Sequence, residues 1–480
     1  MWQSSHTGRP TAFRAPTKRT MSISSHTESR SDIDRRHVMH PFSVLQRHEQ
    51  SGPRRMIVRG SGSRVYDEDG RAYIDAMAGL WCVNIGYGRS EIADALHEQT
   101  LRLPYYHSFS SMATDTPALL AERLIELIPG HMSKVLYGTS GSDANDTQIK
   151  LVRLFNNLLG RPAKKKIIAR DRGYHGVSIA SGSLTGFQAM HSGFDLPMPG
   201  IIHTTSPYRL REAGVDESDA DFVARLAADL DALIVAEGPE TVAAFIAEPV
   251  QAAGGVIVPP EGYFPAIQEV LRRHDVLLIV DEVVCGFGRL GTWFGSEFVG
   301  AEPDLVTVAK GITSAYFPLS ACVVSERVWR VLADESGERA FGHGYTYTSH
   351  PLAAACALAN LALIERDDLV SQAGERGKYL NTQLRAAFQD HPMVGEVRGH
   401  GLIAAVEFTA GAGPTKLFDP IGKVAARVDA ECLERGVITR ALPDSDTISF
   451  SPPFVITETE IDEIVAVARE AADVVAADIL

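Results

Sequence analysis

The sequence predicts an α/β protein built on a mainly parallel sheet sandwiched by helices, with a smaller α+β domain beside it. Short, almost wholly apolar runs at Val242–Ala247, Val276–Val280 and Leu305–Ala309 are too brief for helices, and each is followed by a charged residue, as buried parallel strands are. Between them lie segments with apolar residues at helical spacing: Phe222, Leu226, Leu230, Leu233 and Ile234 within 218–236, then the crossover segment 263–274. Such βαβ alternation specifies a parallel sheet with helices on both faces. Beyond residue 350 the rhythm changes. Helices reach about residue 389, short strands follow at Val394–Val397, Leu402–Phe408, Val437–Arg440 and Thr447–Phe450, and an amphipathic helix starts at Glu458, which reads as α+β.

A chain of 480 residues, 45% hydrophobic, is long enough for one large core and a second domain. The expected organisation is a disordered extension at 1–38, a large domain at 86–349, and a small domain assembled from 39–85 and 350–480. The extension is rich in Ser, Thr, Arg and His, lacks the apolar core of a secretory signal, and contains Met21 as an alternative start, with Met39 just beyond it. Residues 1–40 hold seven basic and three acidic residues, which leaves 39 basic against 57 acidic in the rest. An acidic body excludes nucleic acid as a partner. No window approaches eighteen uninterrupted apolar residues, so no membrane span is expected. The five cysteines lie far apart without metal-ligand spacing, which predicts free thiols, a reducing and cytoplasmic setting, and no metal site.

Taken in order, His40-Pro41-Phe42 opens the ordered chain. Strand-like pieces at Met56–Arg59 and Ser63–Tyr66 are followed by the hairpin signal Asp69-Gly70 and by Tyr73-Ile74-Asp75. The glycines and aromatics from Gly79 to Gly88 suggest a loop passing close to a ligand, with core packing as the other reading of Trp81. After the strand Val135–Tyr137, the Gly/Ser-rich turn 138–142 leads into an amphipathic helix with Ile149, Val152 and Phe155 on its buried side. A turn of that kind at a helix start presents backbone N–H groups and the positive dipole end to an anion. Strand Lys166–Arg170 runs into Tyr174-His175, where an aromatic ring beside glycines suits stacking on a flat ring and His175 reads as a packed loop residue.

Three polar side chains then fall at strand C-termini, where open α/β sheets bind ligands: Glu248, Asp281 and Lys310. Val283, two residues past Asp281, points to the same side. An acid and an amine delivered to one crevice are what pyridoxal phosphate requires, the amine for a covalent link and the acid for the pyridine nitrogen. A dehydrogenase reading is weak, because Gly286-Phe287-Gly288 follows a strand but no helix-like run starts at Gly291.

From about His40 to the C-terminus the chain resembles the class-III pyridoxal-phosphate aminotransferases of fold-type I, and specifically their omega, amine:pyruvate branch. The resemblance rests on the Ser140–Asn145 segment, on Tyr174-His175-Gly176, on Asp281-Glu282-Val283 followed by Val284-Cys285, and on Lys310. Asp143 stands where the family has glutamate, and Val284 where many members have glutamine. The resemblance implies that Lys310 is catalytic and that the cofactor is held by Ser140, Gly141, Ser142, Tyr174, Glu248, Asp281, Val283, Lys310 and Thr346. Thr346, within the segment Phe341–Pro351, would reach the phosphate of a neighbouring subunit in a homodimer with shared sites. Phe42 and Trp81 would line the substrate pocket, and Arg440 would be the mobile arginine that receives a substrate carboxylate. The implied activity moves an amino group from a primary amine to a 2-oxo acid, pyruvate in the first instance, in two half-reactions. An isomerase or aminomutase on the same fold shares these cofactor residues and is the alternative.

Overall fold

The structure, a computed structural model, describes residues 29–411 and 416–479. The described residues form two compact units, divided between Val58 and Arg59. Residues 1–28 of the expected disordered extension lie outside the described residues. The rest of that expectation is corrected, because Arg30–His37 is a helix, α1. Ser29 caps it by accepting a hydrogen bond from Asp32 N, Asp32 lies in the first turn and Arg35, Arg36 and His37 in the last, so that both ends complement the helix dipole. A reading based on polar composition overlooks such a helix, which buries none of its residues. A second short helix, α2, spans Leu45–Ser51.

In the second unit a seven-stranded sheet is formed by Met132–Gly138 (β1), Lys166–Arg170 (β2), Ile201–Thr204 (β3), Val242–Ala247 (β4), Leu277–Asp281 (β5), Leu305–Val308 (β6) and Ser320–Ser325 (β7). Their spatial order is β1-β7-β6-β5-β4-β2-β3, and β7 alone runs antiparallel to its neighbours. The central strands are uniformly apolar because both faces are covered. Ala244, Ile246, Leu277 and Ile279 pack with Ile149, Val152 and Phe155 on one side. The alternate residues Phe245, Ala247, Leu278 and Val280 pack with Phe222, Leu226, Phe264 and Ile267 on the other. Each large apolar side chain so buried stabilises by about 1.5–3 kcal/mol.

Two smaller sheets use the flanking parts of the chain. Arg64–Asp67 pairs antiparallel with Ala72–Asp75, which pairs in parallel with Val437–Ile438. Val394–His400, Ile403–Phe408, Thr447–Phe450 and Arg440–Ala441 form an antiparallel sheet. The single strand expected at Val437–Arg440 is therefore two. Val437 registers with Ile74 and Arg440 with Ser449, so the chain changes sheets at Thr439.

Around the last helices the backbone is packed without side chains between. A Cβ on Gly377, within Leu369–Phe388, would lie 2.1 Å from the Gly401 carbonyl carbon. Close by, the fully buried Arg289 donates from Nη1 to the carbonyls of Leu402 (3.0 Å) and Pro452 (2.7 Å), and from Nη2 to Asn84 Oδ1 (2.8 Å). Burial pushes its guanidinium down to about 9. All five cysteines are free, four of them buried and Cys82 half-buried. Among the described residues, no helix is long and apolar enough to cross a membrane.

Candidate active site

The site lies at the carboxyl ends of β2, β4, β5 and β6. Asp281 is the last residue of β5, is 2% exposed, and registers with Thr307 of β6, three residues before Lys310. Its orientation is fixed by three donors. Asn145 Nδ2 and His175 Nδ1 both lie 2.8 Å from Oδ2, and Val283 N donates to Oδ1 at 3.1 Å. Neither Asn145 nor His175 was assigned a role from sequence. The signal for Asn145 is its place at the start of the second turn of the helix after the Gly/Ser turn, near the strand ends. His175 is 2% exposed and its other nitrogen, Nε2, has no hydrogen-bond partner.

Lys310 follows β6 in the left-handed region at φ 47°, a conformation that costs a lysine energy. Its Nζ lies 5.3 Å from the centroid of the Trp81 ring. Burial of the amine lowers its pKa from the ordinary lysine value, against the opposing pull of Cys82, Asp281 and Glu248, while Arg440 adds to the lowering. Those influences place four groups from four segments around one amine.

Glu248 follows β4 and is 3% exposed, with its carboxyl pushed up by burial. It accepts hydrogen bonds from Tyr174 N (2.9 Å) and Ala252 N (3.1 Å) and so fixes the loop that carries the Tyr174 ring. Next to Asp281, Glu282 turns away from the crevice and accepts from Gly295 N, Ser296 N and Ser296 Oγ. Burial raises its carboxyl to about 7.

At the other end, Ser140 caps the helix Gly141–Leu158 in a reciprocal box with Asp143. Ser140 Oγ accepts from Asp143 N, and Asp143 accepts from Ser140 N and Thr139 N. With Ser140 so occupied, the orphan N–H groups of the first turn belong to Gly141 and Ser142. A Cβ on Gly141 would sit 3.2 Å from Val283 Cγ2, which shows how closely the helix start meets Val283. The shorter Asp143 completes the cap and also takes a hydrogen bond from Ser320 Oγ at 2.9 Å.

Trp81 is both packed and aimed. Asp75, at the end of Ala72–Asp75, accepts from Met77 N (3.0 Å) and Gly79 N (2.6 Å), which bends the chain so that Trp81 adopts φ 58°. The ring is 4% exposed, packs with Met77, Phe187 and Leu442, and has Arg440 Cζ 4.9 Å from its centroid. Burial lowers the pKa of Arg440, while Tyr174 and Asp429 oppose that. Thr346 is exposed, and its carbonyl accepts from Tyr105 OH at 2.5 Å. Phe42 belongs to the first unit, where it is exposed.

Together these residues offer a partly desolvated amine, a triply held carboxylate, an aromatic face and an anion-binding helix start. That donor set fits pyridoxal phosphate, which needs an amine, a partner for its ring nitrogen and a seat for its phosphate.

Residues 45–471 match the family model for class-III aminotransferases. The diaminobutyrate–2-oxoglutarate transaminase of Halomonas elongata is 52% identical over 91% of this chain and 94% of its own. The putrescine–pyruvate aminotransferase of Pseudomonas aeruginosa is 42% identical over 93% of this chain and 96% of its own. Among solved structures, the omega transaminase from Pseudomonas jessenii in complex with PMP superposes with a TM-score of 0.92, at 44% identity over 94% of this chain and 99% of that one. Enzymes of this family use pyridoxal phosphate, so the cofactor expected from the acid and amine pair stands. With a family model spanning most of its length and relatives at this level of identity, the chain belongs to the class-III aminotransferases.

Proposed function

We propose that this aminotransferase takes an amino group from a primary amine lacking an α-carboxylate, such as a diamine or omega-amino compound, and passes it by alternating half-reactions to pyruvate. The observation that carries the reading is Arg440 standing over the Trp81 ring at 4.9 Å, with Lys310 5.3 Å from the same ring. A carboxylate-binding cation and the reactive amine thus share one aromatic wall.

Asp281 would meet the ring nitrogen of the cofactor, with Tyr174 and Val283 on its two faces. Gly141 and Ser142 would receive the phosphate through their N–H groups, with Ser140 holding the turn. When bound, pyridoxal phosphate withdraws electrons from the carbon that bears the amino group and carries that group between substrates. Lys310 moves the proton at that carbon, and its lowered pKa keeps part of the amine neutral and able to accept it. His175 and Asn145 keep Asp281 in place, and Glu248 keeps Tyr174 in place. Arg440 takes the carboxylate of the oxo acid by a two-pronged contact and turns aside for an amine without one. Trp81 forms an apolar wall for the amine's organic part.

The exposed Thr346 serves the phosphate site of a second copy, which makes the working unit a homodimer in the cytoplasm. Within it the large domain is 86–349, and the small domain joins 39–85 to 350–480, a division supported by the three separate sheets. A second acceptor, 2-oxoglutarate, is favoured by the name of the diaminobutyrate transaminase relative. The test is the absorption spectrum of the holoenzyme during addition of carboxylate-free amines, then of pyruvate or 2-oxoglutarate. Loss of the cofactor band with an amine and its return with pyruvate support the reading. Return with 2-oxoglutarate alone replaces pyruvate, and a band unmoved by every amine refutes the donor class.

A further inference from the structure

Among its described residues, the first unit has little with which to hold itself together. None of the eight residues of α1 is buried, and His48 is the only buried residue of α2. Helices of eight and seven residues are too short to persist on propensity. A segment without an apolar core usually depends on a staple.

His48 is 9% exposed, and its Nε2 has no hydrogen-bond partner. That nitrogen lies 3.7 Å from Asp34 Oδ1. The same carboxylate is met by His40 Nε2, at 2.9 Å from Oδ1 and 3.2 Å from Oδ2. The two imidazoles stack with centroids 4.3 Å apart and planes 27° apart, so their Nε2 edges face one carboxylate. One donor atom from each of the three residues lies within 4.8 Å of the others. A buried ring nitrogen left unpaired is unfavourable, and becoming a ligand removes that cost.

We propose that Asp34, His40 and His48 bind a first-row divalent transition-metal cation, with Zn²⁺ the best match, and that the ion ties α1 to α2. Two imidazoles with one carboxylate suit zinc and its neighbours, whereas Mg²⁺ and Ca²⁺ take oxygen ligands. Tetrahedral zinc with donors at about 2.0–2.1 Å sets neighbouring donors roughly 3.4 Å apart. The Asp34 to His48 edge at 3.7 Å is already close to that, and the widest edge, no more than 4.8 Å, closes by a small turn of an imidazole. The fourth position is left for water. Binding closes the chain between Asp34 and His48 into a loop and replaces the hydrogen bond that His40 shares with Asp34 by ligation. Cysteine spacing could not reveal the site, because its ligands are two histidines and an acid from a helix, a loop and a second helix.

The experiment is calorimetric titration of Zn²⁺ into untagged, chelator-treated holoenzyme, repeated with Co²⁺ while following visible absorption bands. Trypsin cleavage after Arg35, Arg36 and Arg47 is timed with and without Zn²⁺. Wild type should bind one ion per chain with a Kd of about 1 µM or lower and be cut more slowly when loaded. His48→Ala and His40→Gln should each weaken that site at least about 100-fold and abolish the protection. His40 is partly exposed, so its variant carries the test if His48→Ala does not fold. Comparing holoenzymes cancels ions taken by the cofactor or by other histidines. Zn²⁺ binding that is absent in wild type, or equal in wild type and both variants, overturns the proposal.

Discussion

Asn145→Ala isolates the support beneath Asp281. Asn145 is 1% exposed; its Nδ2 donates to Asp281 Oδ2 at 2.8 Å and to the His175 carbonyl at 2.7 Å, and its Oδ1 accepts from Thr307 Oγ1 at 2.8 Å. A hydrogen bond to a carboxylate contributes about 1.5–3 kcal/mol and each of the other two about 1 kcal/mol, with their partners left unpaired in a buried place, so the total loss is on the order of 3–6 kcal/mol. For a chain of this size that lowers the Tm by roughly 3–6 °C. Scanning calorimetry of apoprotein and holoenzyme checks it, together with retention of pyridoxal phosphate through dialysis, which should fall as Asp281 turns more freely. A double-mutant cycle with Asp281→Ala should give a coupling of about 1.5–3 kcal/mol. A variant with unchanged Tm and cofactor retention, or a cycle in which the two substitutions add, would show that Asn145 does not hold Asp281.

Other expectations follow from the same geometry. Lys310→Ala should abolish amino transfer while some cofactor stays bound, measured as alanine formed from pyruvate and an amine; normal turnover would remove Lys310 from the reaction. Arg440→Ala should lower kcat/KM for the oxo acid by about 10- to 100-fold and that for a carboxylate-free amine by less than about threefold, as expected for loss of one charged two-pronged contact. In the apoprotein the depressed pKa of Lys310 makes its ammonium a penalty below the folded value, relieved as pH rises through the unfolded value of about 10.4. Lys310→Met should thus raise the apoprotein Tm at pH 7 by an amount that shrinks toward pH 11, and a constant difference would contradict the buried charge. Gly377→Ala drives a methyl group into the backbone of Gly401 and should destabilise by at least about 3 kcal/mol, read as lost soluble yield and a lower Tm.

Much of the large sheet was readable because its strands are covered on both faces, which leaves apolar runs that end abruptly in Glu248, Asp281 and Lys310. The partners that orient those groups were not readable, since Asn145 and His175 act across 136 and 106 residues of sequence. The spacing of either residue is uninformative until the sheet order is known. The turn at Thr439 was hidden for a related reason: each half-strand has only two residues, too few for a period to show. Helix α1 escaped notice because it is held by caps and polar contacts and leaves no apolar stripe. The likeness to a known family supplied the roles of Thr346 and Arg440, which position alone would leave as an exposed hydroxyl and a strand-edge cation.

Arg289 sets an order on how the catalytic crevice comes into being. Asn84 lies 205 residues upstream, but Leu402 and Pro452 lie 113 and 163 residues downstream, so two of the three anchors of the loop just beyond Asp281 belong to chain made long after it. Contacts of such separation form late, after the local strand and helix pairs have closed. During synthesis, the sheet that carries Asp281 and Lys310 can assemble while residue 452 is still inside the ribosome, but the loop beside it then has only Asn84 of its three anchors. A nascent or C-terminally shortened chain would accordingly present the acid and the amine with no settled crevice between them, and firm cofactor capture would await completion of the polypeptide.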